Sequence, residues 1–123
     1  KGFCCIISNA RDFARLGKLY MHQGNWNGTQ ILDSNYVKDV ISVAELLDTK
    51  GNTNTNYGYQ FWLAERQDLS VYYARGLFGQ YVICIPEKNM IVVRLGRKFG
   101  AVLEDLHHDD FYAFIDAALE MYP

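Results

Sequence analysis

The chain has 123 residues, enough for one domain that would bury about two-thirds of the surface exposed by its unfolded form. Half of the residues are hydrophobic and 21% are charged, which excludes a disordered tail. The net charge of −2, with Lys and Arg scattered singly, provides no basic patch for nucleic acid, and the longest apolar runs are too short to span a bilayer.

The N-terminal segment KGFCCIIS has neither the length nor the flanks of a signal peptide. Because the first residue is Lys1, we expect the chain to be processed or to be cut out of a longer protein. The last residues, MYP, directly follow a predicted helix and are compatible with a natural C-terminus.

The three cysteines, Cys4, Cys5 and Cys84, have neither C-x-x-C spacing nor a histidine spaced for zinc. Their odd number and apolar surroundings favour buried free thiols over a disulfide framework. Adjacent cysteines point to opposite sides of an extended strand, which disfavours a bond between Cys4 and Cys5.

The first predicted element is a helix that begins after Asn9. Asn9 is suited to cap it, Asp12 places an acid in its first turn, and Gly24 is placed to end it. Its helical spacing is carried by Phe13, Leu16, Leu19 and Tyr20.

A tight turn is predicted next at Asn27-Gly28. Asp33 or Ser34 then caps a second predicted helix. The apolar face of that helix consists of Val37, Val40, Ile41 and Ala44.

Residues 48–56 are polar and low in complexity, which predicts an exposed loop. Four short β-branched and aromatic segments follow, with turn residues between them, and they predict an antiparallel meander. The segments are YGYQFWLA, LSVYYA, QYVICI and MIVVRL, and the turns are residues 65–68, the glycine-containing segment 74–80 and residues 86–89.

A last helix is predicted from Asp109 or Asp110, either of which is suited to cap it. Its apolar face consists of Phe111, Phe114, Ile115, Ala118 and Leu119. The order of elements indicates an α+β fold with helical residues 1–46, strands in residues 57–96 and a helix over residues 109–122. Three helices cover both faces of four strands incompletely, so we expect the sheet to need more chain or a second copy.

Ligand-type side chains cluster only at His107-His108-Asp109-Asp110. Adjacent loop positions do not readily converge on one ion, so we interpret the acids as helix caps and predict no metal site. We interpret His22, near the end of the first helix, as serving the helix dipole.

Gly76 and Gly79 lie where a strand would favour bulk, which predicts either a β-bulge or the edge of a site where backbone or ligand approaches closely.

Three segments resemble motifs of the serine β-lactamase and penicillin-binding-protein superfamily. ARGLFGQYVICIPEKNMIVVRL is similar to its K-T-G or H-T-G-F-T-G segment with the following hairpin, and Ala74-Arg75-Gly76 falls on the triplet. SNARDFARLGKLYMHQGNWNGTQILDSNYV resembles a helix–turn–helix of the form S-T-A-x-D-x-x-x-F-G-x-L, and YGYQFWLA resembles Y-G-Y-G-x-x-W. The resemblance covers nearly all of residues 1–95. It is closest to the class C-like branch, which holds esterases, D-amino-acid peptidases and 6-aminohexanoate-dimer hydrolases.

The resemblance implies a serine hydrolase that cleaves an amide or ester through an acyl-serine intermediate, using S-x-x-K and a later Y-x-N or S-x-N. Neither motif occurs in these 123 residues. We therefore expect this chain to be the C-terminal portion of such a domain, to contain no catalytic side chain and to be inactive by itself.

The resemblance also implies roles for three residues. The backbone N–H of Leu77 would be an oxyanion-hole donor, Gly76 would allow close approach of substrate, and Arg75 would lie near a substrate carboxylate. The alternatives are a solvated strand charge for Arg75 and a β-bulge without ligand for the glycines. Ala74 stands where lactamases carry Lys or His, which weakens a lactamase assignment.

A rival hypothesis is a non-catalytic binding or structural module that holds a ligand or partner in the groove beside Arg75. A third is a fragment that self-associates through its sheet edges. No cofactor is implied, and the expected partners are a small amide or ester substrate and either the missing N-terminal portion or a second copy. The resemblance favours a periplasmic or extracellular location, and the sequence leaves substrate and compartment open.

Overall fold

The computed structural model describes residues 5–123. Its helices are α1 (Ala10–Met21), α2 (Ser34–Val40) and α3 (Asp109–Met121). Its strands are β1 (Asn25–Trp26), β2 (Thr29–Gln30), β3 (Trp62–Arg66), β4 (Leu69–Arg75), β5 (Tyr81–Ile85) and β6 (Met90–Arg94).

The main sheet has the strand order β3-β4-β5-β6, and every neighbouring pair is antiparallel. On β4, Tyr73 lies opposite Trp62 of β3 and Ile83 of β5. The predicted α+β class and four-stranded meander are confirmed. The sheet ends at β3 on one side and β6 on the other within the described residues.

Helix α3 covers one face of the sheet. Since side chains alternate along a strand, Val71 and Tyr73 of β4 both point to this face. The cluster is completed by Tyr81, Ile83, Ile85, Phe111, Ile115 and Leu119. The predicted apolar face of the last helix is thus buried, except for Phe114, which is only partly buried.

Helices α1 and α2 lie on the opposite face, where Val40, Phe61, Tyr72 and Cys84 form a second cluster. Helix α1 approaches the sheet at Gly17, where an added Cβ would lie 2.9 Å from the Cys84 Sγ. Cys84 is a buried free thiol, as predicted, and burial raises its pKa to about 12.

The predicted start signals of α1 and α2 are confirmed. The Asn9 side chain accepts from the Asp12 N–H, and the Asp33 side chain accepts from the N–H groups of Asn35 and Tyr36. Asp33, rather than Ser34, is therefore the cap of α2.

The predicted turn at Asn27-Gly28 joins β1 to β2, with both residues at positive φ, as a type I′ hairpin requires. Gly24 lies just beyond α1 with φ +80, and its N–H donates to the carbonyl of Leu19. It therefore contributes to ending that helix, as predicted.

Three expectations are corrected. Regular pairing begins at Trp62, whereas Tyr57 makes only an isolated bridge, so YGYQFWLA is strand only at its end. Glu65 and Arg66 belong to β3, because the turn after them needs only two residues. The N-cap of α3 is His108, which places Asp109 and Asp110 in the first helical turn beside the positive end of the dipole.

The cysteine expectation is partly wrong. Cys5 is disulfide-bonded, so the preference for free thiols that the odd number of cysteines and their apolar surroundings suggested fails for Cys5, whose φ of 76° is also not that of an extended strand. Cys4 lies outside the described residues.

The loop of residues 48–56 is largely exposed, as predicted, and is organised by Asp48, whose carboxylate accepts from the N–H groups of Lys50 and Asn52. No helix in residues 5–123 combines the length and apolarity that crossing a membrane would require.

Candidate functional site

The segment Gly76–Gln80 is the turn between β4 and β5. The Gly76 N–H donates to the Gln80 carbonyl at 2.8 Å, and the Gly79 N–H donates to the Gly76 carbonyl at 3.2 Å. Gly79 has φ +73, which favours glycine, and a Cβ there would lie 2.5 Å from the Lys98 carbonyl oxygen. The two glycines therefore serve a tight turn and a close approach of the protein's own backbone.

Leu77 lies at the tip of this turn, and its side chain is 81% exposed. Its N–H donates to no acceptor within residues 5–123, whereas the N–H of neighbouring Phe78 donates to the Gln80 side chain at 3.1 Å. The hydrogen bonds of the turn thus leave this one backbone donor unused.

Arg75, the last residue of β4, is held by two contacts. Its guanidinium carbon lies 3.5 Å from the centroid of the Trp62 ring, and Nη1 donates to the Leu106 carbonyl at 2.9 Å. The cation is therefore placed beside the turn, partly buried, against the loop that precedes α3. Gly76 follows it directly, and a Cβ there would collide with the Gln80 side chain.

Two side chains connect the turn to residues 96–98. Gln80 Nε2 donates to the Gly96 carbonyl at 2.7 Å. Arg94 Nη1 donates both to the Gly79 carbonyl and, at 2.7 Å, to the Lys98 carbonyl. Neither residue was predicted from the sequence, because the groups that they join lie 15 and 16 positions apart and only the folded sheet brings them together.

Two buried tyrosine–histidine pairs fasten the start of α3 to the sheet. The Tyr73 hydroxyl lies 2.7 Å from His107 Nδ1, and the Tyr81 hydroxyl lies 2.7 Å from His108 Nδ1. Both histidines are almost fully buried, and burial lowers the pKa of each below its usual value of 6.5.

A third group sets the direction of the hydrogen bond in one of the two pairs. The Tyr81 hydroxyl donates to the Asp110 carboxylate at 2.9 Å, so its oxygen accepts from His108 Nδ1–H. Burial lowers the pKa of His107, whose Nδ1 faces the Tyr73 hydroxyl, and the nearby Asp105 carboxylate and Leu63 carbonyl oppose that lowering.

Each histidine is hydrogen-bonded to a different tyrosine, and these bonds explain the burial of both rings without a metal ion. Among residues 5–123 no group of three His, Cys, Asp or Glu side chains is placed to hold one. His22 is the C-cap of α1, where the sequence placed it beside the negative end of the dipole.

Two concave regions lie at the edges of the main sheet. One, of about 820 Å³, lies between the first turns of α1 and the outer strand β6 and is lined by Ala10, Ala14, Ile91 and Val93 with polar neighbours. The other, of about 350 Å³, lies beside β3 and is lined by Asn56, Glu65, Asp105, His107 and Tyr112 among others.

Comparison with known proteins yields a match in structure. No protein-family model and no curated protein matches the sequence. A solved structure from Bacillus anthracis, of a protein assigned as a 6-aminohexanoate-dimer hydrolase, superposes with a TM-score of 0.65 at 24% sequence identity over 93% of this chain. This chain spans 28% of the length of that protein.

The superposition confirms the predicted architecture, since the neighbour has the β-lactamase-like fold named by the resemblance. The described chain, with its four-stranded antiparallel sheet between helices, therefore has the fold of a part of a β-lactamase-like protein.

Proposed function

We propose that this chain is the C-terminal portion of a serine hydrolase that cleaves an amide or ester through an acyl-serine intermediate. The nucleophile would come from an S-x-x-K motif elsewhere in the same polypeptide, since the 123 residues lack one. The chain by itself would then be inactive.

The observation that carries the proposal is the Leu77 N–H, which has no acceptor within residues 5–123 and stands at the exposed tip of the turn that follows β4. Acyl transfer develops negative charge on the carbonyl oxygen, and fixed backbone donors stabilise that charge without reorganising. The Gln80 side chain fills the space beside Gly76, so Gly76 serves the turn, whereas the Arg75 cation beside it would favour a substrate that carries a carboxylate.

The same proposal also predicts what covers the outer edge of β6. Its outer edge is unpaired within the described residues, all five of its residues are only partly buried, and four are apolar. We propose that the remaining polypeptide pairs with this edge. Sedimentation of the 123-residue chain at micromolar concentration tests it: a monomer is expected to bind the purified remainder, and a stable self-dimer would instead favour pairing between copies.

Replacement of Leu77 by proline tests the catalytic role directly. Leu77 occupies the second position of the turn closed by Gly76 and Gly79, where proline is favoured, so L77P removes the N–H and keeps the turn. In the full-length polypeptide we expect kcat for p-nitrophenyl acetate to fall about 10²-fold or more, as for loss of one oxyanion-hole donor.

L77A is the matched control, because it shortens the same exposed side chain and keeps the N–H. Equal activity of L77P and L77A would overturn the role of Leu77. An upstream open reading frame without S-x-x-K would overturn the proposal of a serine hydrolase. It would favour the alternative, a non-catalytic binding module, with which the lack of the motif in these 123 residues agrees.

A further inference from the structure

Arg94, the last residue of β6, joins three parts of the molecule. Nη1 donates to the carbonyls of Gly79 and Lys98, and the Asp110 carboxylate of α3 lies 3.7 Å from the same nitrogen. The guanidinium also lies over the Phe114 ring, with 5.1 Å between its carbon and the ring centroid. The side chain is 23% exposed, so these contacts are partly shielded from water.

Two glycines form the walls of the space that holds this guanidinium. A Cβ at Gly79 or at Gly96 would lie under 3.0 Å from Arg94 Nη1, closer than real Cβ atoms come. At Gly96 the backbone has no positive φ, so steric room for Arg94 is what the missing side chain provides there.

Gln80 makes a second, parallel connection. Its side chain accepts from the Phe78 N–H and donates to the Gly96 carbonyl, while Arg94 holds the Gly79 carbonyl. Both residues that follow Leu77 are therefore tied to residues 96–98. The Gly79 N–H donates to the Gly76 carbonyl, which lies in the same planar peptide unit as the Leu77 N–H, so fixing Gly79 restricts the direction of the Leu77 N–H as well.

We infer that Arg94, seated between Gly79 and Gly96, is a positioning residue for the Leu77 amide. It touches neither a substrate nor the reacting atoms; it acts through the turn. The catalytic consequence depends on the proposed function, whereas the ordering of the turn does not.

The ordering is tested by amide hydrogen exchange on the 123-residue chain. In R94M we expect the Phe78 and Gly79 amides to exchange about tenfold faster, since a hydrogen bond from a charged group is lost, with a smaller increase in R94K. Amides of the distant turn at Gln67 and Asp68 should not change. R97M is the matched control, because Arg97 is exposed in the same loop and makes no side-chain hydrogen bond or ion pair within residues 5–123.

G96A tests the steric room for the Arg94 guanidinium separately from its charge. It keeps Arg94 but places a methyl group against the guanidinium, so it should speed exchange at Gly79 in the Arg94 protein and have little further effect in R94A. Unchanged exchange at Phe78 and Gly79 in both R94M and G96A, or an equal rise at Gln67, would overturn the inference.

In the full-length polypeptide, kcat and KM provide a measurement that general destabilisation does not change while the protein remains folded. At a temperature where both variants remain folded, R94M should lower kcat for p-nitrophenyl acetate about tenfold with KM unchanged, and R94K should restore part of it. If the wild type forms no acyl-enzyme with this ester, the proposed function fails, and the exchange experiment by itself decides the positioning role. If the acyl-enzyme forms and R94M keeps full kcat, the positioning role is overturned and the proposed function stands.

Discussion

The two ends of strand β4 are turned in different ways. At its start, Gln67 and Asp68 form a two-residue turn with both residues at positive φ, the geometry of a type I′ hairpin. At its end, five residues including two glycines form the turn, which Arg94 of β6 holds from outside the hairpin and Gln80, the last residue of the turn, connects to Gly96.

The difference shows how to distinguish a simple hairpin turn from a turn that the rest of the fold supports. The first turn is closed by its own backbone, and its contact with the rest of the molecule is through Asp116 of α3, which accepts from the side chains of Arg66 and Gln67 where both partners of the ion pair are about one-third exposed. The second is supported by partly buried charge and buried tyrosine–histidine pairs, yet its tip exposes an unused N–H and two large apolar side chains. Support of this kind around an exposed tip is typical of a binding loop.

The largest effect is expected for Gly79→Ala. The change forces a left-handed backbone onto alanine and places its Cβ against the Lys98 carbonyl and Arg94, so we expect the free energy of unfolding to fall by about 3 kcal/mol. Gly28→Ala is the matched comparison, since φ is +87 there and nothing lies within 4 Å of the added Cβ. It should cost about 1 kcal/mol.

Urea denaturation of both variants measures the comparison. Equal losses would mean that backbone strain accounts for everything, and that the close approach around Gly79 contributes nothing to the second turn.

A smaller effect is expected in mild acid, and it should be local. The pKa of His107 is lowered by burial, so the unfolded chain takes up a proton first and stability falls as the pH drops below about 6.5. His107 is the more deeply buried of the two histidines, and His108 Nδ1 already carries a hydrogen in its bond to Tyr81, which donates to Asp110.

Hydrogen exchange at pH 7 and pH 5, corrected for intrinsic rates, tests this. Amides near His107 and the β4–β5 turn should lose protection before those at Gln67 and Asp68, and His107→Gln should remove more of the pH dependence than His108→Gln. Uniform loss of protection would contradict the contrast between the two ends.

The smallest effect is a gain at the first turn. Asp68→Gly relieves a non-glycine residue of φ +60, and we expect about 0.5–1 kcal/mol of added stability from thermal unfolding. A loss would show that the Asp68 side chain contributes an interaction that outweighs the backbone strain.

Local rules predicted much of this fold from the sequence. Asn9 and Asp33 have the side chains that cap helices, Asn27-Gly28 has the turn chemistry, and the short β-branched and aromatic segments between turn residues predicted the sheet. The length of the turn at Gln67 and Asp68 was predicted wrongly, because neither residue is a strong signal for left-handed backbone.

The candidate site was less predictable, because it is assembled from distant residues. Gly79 and Gly96 are 17 positions apart, and only the folded sheet brings the Arg94 guanidinium between them. The pairing of Tyr73 with His107 likewise spans 34 residues. The sequence indicated the turn and the Leu77 donor through a resemblance, whereas the side chains that hold the turn are visible only in three dimensions.

The position of Cys84 beneath Gly17 makes its thiol a probe of how often α1 separates from the sheet. A thiol with a pKa of about 12, wholly buried under α1, reacts with an alkylating reagent only when that helix leaves the sheet. The labelling rate of Cys84 therefore reports how often this layer opens, and a remainder of the polypeptide that closes the α1–β6 edge should slow that rate.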